Sequence, residues 1–200
     1  DNGYDALIAK LSAPAVTKEG KAAVVGGGPA GMAAAYFLRR AGMAVTLFEK
    51  KSALGGVVRH VIPEFRIPGT SIDKDTALLE KIGVEIRTNT EITSVEALKG
   101  EGYTNVVLAV GAYKPGNVRL EAGEAVNALK FLEEFKAKDG NLDLGKVVAV
   151  IGGGNTAMDT ARAAKRTKGV EKVSLVYRRT KRYMPADEEE LVMAVEDGVE

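Results

Sequence analysis

Apolar and polar positions along the chain alternate in a way that predicts strands joined by helices. Residues 22–25 and 44–48 are short apolar runs of the length typical of buried strands. The stretch between them has helical spacing, and the positions that recur on one predicted face are Ala30, Ala33, Ala34, Phe37 and Leu38. The first 50 residues therefore predict a βαβ unit, in which a helix connects two parallel strands.

A second βαβ unit is predicted in the last third of the chain. Residues 147–151 and 173–177 are again short apolar runs. The helical face predicted between them contains Ala157, Thr160, Ala161 and Ala164. Further elements are predicted between the two units, namely helices over 73–82 and 127–138 and a strand over 84–88. Two βαβ units in one chain predict an α/β fold with parallel sheets.

The turn between the first strand and its helix matches a dinucleotide-binding fingerprint. Residues 26–31 are Gly-Gly-Gly-Pro-Ala-Gly, which fits G-x-G-x-x-G between a strand and a helix. In this motif Gly26 permits a tight turn, Gly28 permits a pyrophosphate to approach the backbone, and Gly31 permits close packing of the helix on the strand. Free N–H groups and the dipole at the start of the helix would hold the phosphates.

Glu49 completes this fingerprint, because it follows the second strand and lies 18 residues after Gly31. A carboxylate at that point accepts hydrogen bonds from ribose hydroxyls, so the first unit is predicted to bind a dinucleotide with a free 2′-hydroxyl, such as FAD. The alternative is a glycine-rich turn followed by a surface glutamate. The spacing of strand, turn, helix and acid favours the dinucleotide.

The second unit contains the G-x-G-x-x-A variant of the motif, formed by Gly152, Gly153, Gly154, Asn155, Thr156 and Ala157. Its second strand is followed by Arg178 and Arg179 instead of an acid. Guanidinium groups at that point favour a 2′-phosphate, so the second unit is predicted to bind NADPH in preference to NADH. An alternative is a solvated strand end, because Lys181 and Arg182 continue the basic run.

Composition excludes several classes of function. Lys and Arg number 28 against 27 Asp and Glu, and a net charge of +1 gives no field that would attract nucleic acid or acidic membranes. The absence of cysteine excludes a disulfide and a thiolate metal site within the chain. A redox reaction at this chain would therefore need an organic cofactor. No apolar run reaches the roughly 20 residues of a membrane helix, and the polar start lacks a signal-peptide pattern. We expect a cytoplasmic protein.

These stretches together resemble the FAD/NADPH oxidoreductases typified by the small (beta) subunit of glutamate synthase. The resemblance rests on VVGGGPAGMAAAYFLRRAGMAVTLFEK, LGGVVRHVIPEFRIP, VVLAVGA, VAVIGGGNTAMDTARAAKR and VSLVYRRTKRYMPADEEE, and it runs from residue 21 to the end. The segments VVRHVIPEFRIP and SIDKD are also similar to the large flavoproteins assigned as selenate reductases. The resemblance implies a Rossmann-like FAD/NAD(P)-binding fold, with hydride passing from NADPH to FAD and electrons then passing to an iron–sulfur domain or subunit.

The resemblance also implies roles for individual residues. Those implied at FAD are Gly26, Gly28, Pro29, Ala30, Gly31, Glu49, Lys50, Gly55, Gly56, Val57, Arg59, Ala109 and Gly111. Those implied at NADPH are Gly152, Gly153, Gly154, Asn155, Thr156, Ala157, Arg178 and Arg179. Arg59 would face the flavin from a loop, and a strand over 106–111 would lie beside FAD. The acids at 187–190 are expected to begin a helix and are assigned no chemistry. No residue is assigned as catalytic, because hydride transfer between bound cofactors needs mainly positioning.

The predicted organisation is an approach segment (1–20), an FAD-binding part (21–113), a connecting segment (114–144) and the first part of an NADPH-binding domain (145–200). In the family a later segment completes the FAD domain, so we expect this chain to be truncated relative to the full family fold. A piece of this kind can bind a nucleotide without turnover. A nucleotide-binding or subunit-docking module without redox turnover is therefore the alternative function, and flavin-dependent hydroxylation is another.

Overall fold

The structure is a computed structural model that describes residues 3–112 and 120–200. The chain divides into two compact units, the first formed by residues 1–59 and 67–113 and the second by residues 60–66 and 114–200. Part of the predicted connecting segment lies outside the described residues, and the four predicted domain boundaries stay predictions. Within the described ranges, no helix is long and apolar enough to cross a membrane.

The first unit is built on a parallel sheet whose strand order is β3-β2-β1-β4. Its strands are β1 (Lys21–Val25), β2 (Ala44–Phe48), β3 (Glu85–Arg87) and β4 (Tyr103–Leu108). The helices in this part of the chain are α1 (Tyr4–Lys10), α2 (Pro29–Arg40), α3 (Gly56–His60), α4 (Gly69–Lys81) and α5 (Val95–Gly100). The first predicted βαβ unit is thus confirmed as β1-α2-β2.

Two hydrophobic cores lie on opposite faces of this sheet, because successive side chains of a strand point to opposite sides. Ala22 and Val24 of β1 belong to the core that includes residues of α2 and α4. The alternate residues Ala23 and Val25 belong to a second core with Leu98 of α5. The end of β1, where the fingerprint begins, is therefore held between two packed layers.

The buried face of α2 differs from the predicted one. Ala34 and Leu38 of the predicted face are only partly buried against the core, and Phe37 of the same face is 68% exposed. The buried residues of this helix are Gly31, Met32, Ala35 and Arg39. Gly31 sets the rotation of the helix because it lies directly against the carbonyl of Gly26, and the residues four and eight positions later face inward with it. Helical spacing alone did not distinguish this face from its neighbour, since alanines occupy both.

Arg39 ends the buried face of α2 and joins three segments of the first unit. Its guanidinium donates hydrogen bonds to the carbonyl oxygens of Gly83 at 3.2 Å, Met43 at 3.5 Å and Pro14 at 2.5 Å. Pro14 lies in the predicted approach segment, Met43 precedes β2, and Gly83 precedes β3. A buried cation thus satisfies three carbonyl groups of irregular backbone.

The second unit contains the parallel pair β5 (Val147–Ile151) and β6 (Lys172–Val176). Its helices are α6 (Ala128–Ala137), α7 (Asn155–Arg166) and α8 (Glu188–Glu196), with a 3₁₀ turn over Lys181–Tyr183. The predicted face of α7 is confirmed, because Ala157, Thr160, Ala161 and Ala164 are all buried. The second predicted βαβ unit is therefore present as β5-α7-β6.

Segment 60–66 packs within the second unit, a grouping that its position in the chain did not predict. Val61 is buried in the core of this unit, and the Arg66 guanidinium contacts Asp159 at 3.0 Å and Glu190 at 2.7 Å. Burial raises the pKa of the Asp159 carboxyl above its usual range, although Arg66 opposes the shift. Glu190, assigned no role beyond the start of α8, is 7% exposed and holds this segment to the helix.

A second ion cluster joins α7 to the end of α8. Asp197 accepts hydrogen bonds from Arg162 at 2.6 Å and from Arg166 at 2.5 and 2.9 Å. The bonds from Arg166 hold the pKa of the Asp197 carboxyl below its usual value, in spite of partial burial, and Arg162 adds to this effect. The ring of Phe65 lies 4.7 Å from the guanidinium of Arg162 and 4.3 Å from that of Arg166. Charged groups therefore fix the side of α7 that the apolar core does not cover.

The Arg39 hydrogen bonds predict a specific loss of stability. Replacing Arg39 with Met keeps the aliphatic volume but leaves three partly buried carbonyl groups without this donor, so we expect the free energy of unfolding to fall by roughly 2 kcal/mol. Urea denaturation followed by far-ultraviolet circular dichroism would measure this change. The control is Arg40→Met on the exposed side of the same helix, which should change stability by no more than about 0.5 kcal/mol. Equal effects of the two substitutions would contradict the structural role of Arg39.

Candidate dinucleotide-binding sites

The first fingerprint forms a turn in which backbone groups touch without intervening side chains. The N–H of Gly26 donates to the carbonyl of Phe48 at 2.8 Å, and Gly26 has a φ of +105°, a conformation that L side chains rarely adopt. A Cβ atom at Gly31 would collide with the Gly26 carbonyl, and a Cβ at Gly26 would collide with the backbone of Ala109. The predicted residues Gly26, Gly31 and Ala109 therefore meet at one point.

The start of α2 leaves backbone donors for a ligand. Pro29 is the first helical residue and Gly28 precedes it, and no side chain caps this helix start in the described structure. The carbonyl of Gly28 accepts from Met32 at 2.9 Å, which begins the helical hydrogen bonding. Ala30 is exposed in the first turn. The N–H groups of a first turn have no partner inside their helix, so this start can bind an anion.

Glu49 is fixed beside this turn by two backbone groups. One carboxylate oxygen accepts from the N–H of Gly27 at 2.7 Å, and the other accepts from the N–H of Lys51 at 2.8 Å. The residue is only 7% exposed. Each carboxylate oxygen can accept a further hydrogen bond, so Glu49 retains capacity for ribose hydroxyls. The neighbouring Lys50 is exposed, and its implied cofactor contact stays a prediction.

Gly55 and Gly56 approach the fingerprint closely. The N–H of Gly55 donates to the carbonyl of Gly27 at 2.7 Å, and a Cβ at Gly56 would lie 2.9 Å from the Cα of Gly28. Both glycines have positive φ, and α3 begins at Gly56. Val57 follows with 44% of its surface exposed. The structure therefore brings two predicted glycine segments together, and the glycines leave no side chain between their backbones.

Arg59 lies in α3, where the sequence analysis expected a loop. Its guanidinium donates to the carbonyl of Leu54 at 2.5 Å and contacts the Asp73 carboxylate at 2.5 Å. These bonds brace the Gly55–Gly56 turn against α4. The expected loop was wrong because α3 begins directly after the glycines, and the implied contact of Arg59 with the flavin stays a prediction.

The strand expected over 106–111 ends at Leu108. Ala109 continues the ladder by one hydrogen bond, from its N–H to the carbonyl of Val25 at 2.8 Å. Beyond it, Gly111 has a φ of +77° and is exposed. The chain leaves the sheet at Ala109, next to Gly26, so Ala109 forms part of the turn and Gly111 lies outside the strand.

The second fingerprint repeats the geometry of the first with one exchange of side chains. The N–H of Gly152 donates to the carbonyl of Val176 at 3.0 Å, as Gly26 does to Phe48. The position of Gly31 is taken by Ala157, and a Cβ at Gly152 would lie 3.1 Å from the Cβ of Ala157. The start of α7 thus stays in close contact with the glycine turn, and the methyl group of Ala157 fills the space between them.

Tyr177 occupies the position that corresponds to Glu49, directly after the second strand. A Cβ at Gly153 would lie 2.6 Å from the Tyr177 ring, so the ring packs where Glu49 contacts Gly27 in the first unit. Tyr177 is the last residue of the strand predicted over 173–177 and was given no role at the site, whereas β6 ends at Val176 and leaves Tyr177 beside the glycine turn. Arg178 and Arg179 follow it and are exposed. The second site therefore has an aromatic ring and cations where the first has a carboxylate.

Asn155 begins α7, and both polar atoms of its side chain are bonded to Asp187. Its amide donates to the Asp187 carboxylate at 2.8 Å, and its carbonyl oxygen accepts from the N–H of Asp187 at 3.0 Å. Gly154 precedes the helix without a side-chain cap, and Thr156 is exposed. Backbone N–H groups remain at this helix start for a phosphate. Asp187, to which the sequence analysis assigned no chemistry, is part of the site.

Comparison with known proteins agrees with this geometry. The pattern of the pyridine nucleotide-disulphide oxidoreductase family matches residues 20–200. Escherichia coli K12 YgfK, named as an oxidoreductase, is 49% identical over 183 residues, which cover 89% of this chain and 17% of that protein. A Cereibacter sphaeroides protein named as the small chain of NADPH glutamate synthase is 34% identical over 201 residues, covering 94% of this chain and 48% of that protein. This chain thus spans less than half of either relative.

Among solved structures, FprA from Mycobacterium tuberculosis has a TM-score of 0.69 and 23% identity, covering 90% of this chain and 48% of that one. This likeness confirms the predicted Rossmann-like FAD/NAD(P)-binding fold. The family match includes both fingerprints, and it confirms the resemblance to the glutamate synthase small subunit and the prediction that FAD and NAD(P)H are the cofactor classes. The chain therefore belongs to the pyridine nucleotide-disulphide oxidoreductase family.

Proposed function

We propose that the first unit holds FAD and the second holds NADPH, as the nucleotide-binding part of a flavin-dependent oxidoreductase. The observation that supports this assignment is the difference between two equivalent positions. Glu49 follows the second strand of the first unit, whereas Tyr177 with Arg178 follows the second strand of the other. A carboxylate would repel a 2′-phosphate and accept from a 2′-hydroxyl, and a guanidinium would attract the phosphate.

The residues of the first unit fit FAD. Glu49 is held by the N–H groups of Gly27 and Lys51, so its carboxylate is oriented before a ribose arrives. Neither Gly28 nor Gly56 has a side chain that could cover the N–H groups at the start of α2, so a pyrophosphate can approach them. The carboxylate and the glycines thus match the ribose and the pyrophosphate of one dinucleotide.

The second unit fits NADPH. Backbone N–H groups at the start of α7 can receive the pyrophosphate, and Arg178 and Arg179 are exposed where the 2′-phosphate would lie. The glutamate synthase relative has NADPH in its name, in agreement with the charge of this site.

When both cofactors are bound, the nicotinamide supplies a hydride that the flavin accepts. The chain's own residues bind and orient the two nucleotides, and hydride transfer between them needs no acid or base from the chain. The disulphide chemistry in the family's name requires cysteine, which this chain lacks. We propose that the electrons pass on to iron–sulfur centres in another domain or subunit, and that the protein is cytoplasmic.

Flavin reconstitution tests this function. The chain is incubated with excess FAD and desalted, and the flavin absorbance is recorded before and after NADPH is added without oxygen. Retained flavin that loses its absorbance on addition of NADPH supports hydride transfer. Retained flavin that NADPH does not bleach supports the alternative, a nucleotide-binding module without redox turnover. A protein that retains no flavin contradicts FAD binding by this chain.

Glu49 gives the first specific prediction. In Glu49→Gln the amide group must face one of the two N–H donors that now bind the carboxylate, and the charge-assisted bonds are lost. We expect FAD to bind about tenfold to a hundredfold more weakly, measured by equilibrium titration of flavin fluorescence. Glu80→Gln, at an exposed position of α4, is the control and should bind FAD like the wild type. Unchanged affinity in Glu49→Gln would contradict the ribose contact.

Arg178 and Arg179 give the second prediction. Replacing both with Ala removes charge-assisted bonds that only a 2′-phosphate can accept, so NADP⁺ should bind about tenfold more weakly while NAD⁺ binds as before. Isothermal titration calorimetry with each nucleotide measures the difference. Lys168→Ala removes an exposed cation elsewhere in the second unit and should leave both affinities unchanged. If the double variant loses affinity equally for both nucleotides, the arginines do not determine coenzyme preference.

A further inference from the structure

The second unit has a basic loop, residues 178–182. It contains Arg178, Arg179, Lys181 and Arg182, and all four are exposed. Within residues 3–112 and 120–200, no hydrogen bond, ion pair or ring contact involves the charged group of any of them. By contrast, other cations of this unit, such as Arg162 and Arg166, are paired with carboxylates. Four exposed cations within five residues create a local positive potential that attracts anions.

The backbone that follows this loop is bound to the glycine turn at two neighbouring points. The side chain of Asn155 and the carboxylate and N–H of Asp187 form a reciprocal pair with distances of 2.8 and 3.0 Å. The adjacent N–H of Ala186 donates to the carbonyl of Gly153 at 3.0 Å. Residues 186 and 187 are therefore attached directly to the fingerprint, and they fix the far end of the loop.

Tyr177 joins the two ends of the basic loop. Its hydroxyl donates to the carbonyl of Tyr183 at 2.7 Å, while its ring packs against Gly153. Tyr183 ends the 3₁₀ turn that contains Lys181 and Arg182. The hydrogen bond thus closes the chain between residues 177 and 183 into a small ring, with the four cations inside that span.

Attachment of this kind has an energetic consequence for binding. A free loop with four long cationic side chains would lose backbone entropy when an anion orders it, and that loss would weaken binding. Hydrogen bonds that order the backbone beforehand remove this cost for an anion bound by the loop. They give no advantage to a ligand that contacts only the fingerprint.

We propose that Asn155 and Tyr177 are positioning residues for coenzyme specificity, which hold the basic loop where it can bind the 2′-phosphate of NADPH. The inference rests on the proposed function, because it takes the 2′-phosphate as the anion. It differs from the role implied by sequence resemblance, in which Asn155 lines the phosphates of the nucleotide. In the structure both polar atoms of the Asn155 side chain are bonded to Asp187, which attaches the side chain to the loop and leaves one amide hydrogen for any direct contact with the nucleotide.

The two roles of Asn155 predict different binding patterns. A residue that contacts the pyrophosphate affects NADP⁺ and NAD⁺ equally, because both contain that group. A residue that positions the basic loop affects NADP⁺ alone, and its effect becomes smaller when the Asp187 carboxylate is already removed, because only the backbone N–H of residue 187 then bonds the Asn155 side chain. The comparison of two nucleotides that differ by one phosphate therefore separates positioning from direct contact and from general loss of structure.

The experiment measures NADP⁺ and NAD⁺ binding to the 200-residue chain by calorimetry. We expect Asn155→Ala to weaken NADP⁺ binding about fivefold and Asp187→Ala, which keeps the backbone bond, to weaken it about twofold, with the double variant no weaker than Asn155→Ala. NAD⁺ affinity should stay at the wild-type level in all three. Asp187→Asn preserves an oxygen that accepts from the Asn155 amide, so it should retain NADP⁺ binding and show that the hydrogen bond, not the charge, is required. Asn141→Ala, exposed in the same unit, is the control.

Tyr177→Phe tests the second attachment independently. It removes the hydroxyl bonded to Tyr183 and retains the ring on Gly153, so NADP⁺ binding should weaken about fivefold with NAD⁺ binding unchanged. Hydrogen–deuterium exchange of the amides in residues 178–187 adds a measurement without nucleotide. Exchange should become faster in Asn155→Ala and Tyr177→Phe, and should not change in Asn141→Ala.

The outcomes distinguish this inference from the proposed function. If the wild type does not prefer NADP⁺ to NAD⁺, the proposed NADPH site and the specificity role both fail, and faster exchange would leave only an attached loop. If the wild type prefers NADP⁺ but Asn155→Ala weakens both nucleotides equally while Asp187→Ala weakens neither, the NADPH site stands and the positioning role is overturned. Unchanged exchange in both loop variants overturns the inference as well.

Discussion

The contact between the start of a helix and the end of a strand is the constraint on which both units depend. In the first unit Gly31 must lack a side chain because its Cα lies against the carbonyl of Gly26. This contact sets the rotation of α2, turns Met32 and Ala35 into the core, and places Arg39 where it bonds three carbonyl groups. The same contact aims the N–H groups of the first turn at the space beside the strand end. Packing of the core and binding of an anion therefore have one geometric origin.

The second unit makes the same contact with an alanine on the helix in place of a glycine. Ala157 contributes a methyl group on the helix, and Gly152 has no Cβ with which it could collide. At the end of the neighbouring strand, the ring of Tyr177 takes the place that the Glu49 carboxylate has in the first unit. The same strand–turn–helix backbone is thus followed by a carboxylate in one unit and by a basic loop in the other. The difference in charge, not in fold, is what separates the two proposed nucleotides.

Each unit uses charged side chains to hold irregular backbone that an apolar core cannot satisfy. Arg39 binds carbonyl oxygens in the first unit, whereas Arg66 binds the carboxylates of Asp159 and Glu190 in the second. Buried ion pairs contribute little net stability, but removal of one partner leaves an uncompensated charge. Their effect in this protein is to fix where segments such as 60–66 lie. The hydrogen bonds of Asn155 and Tyr177 fix residues 178–187 in the same way.

The sequence by itself determined the strands of the two βαβ units, the two glycine turns and the acid at the end of β2, because strand length, turn conformation and helix start depend on residues close together in the chain. It also indicated the sign of charge at each site. Tertiary structure decided the buried face of α2, since two stripes of similar hydrophobicity compete and only the contact at Gly31 selects one. Tertiary structure also decided the partners of Arg59 and Asn155 and the grouping of segment 60–66, because these contacts join residues that are not neighbours in the sequence. Asn155 and Asp187 are 32 residues apart, Arg66 and Asp159 are 93 apart, and no local pattern specifies which distant groups a polar side chain will meet.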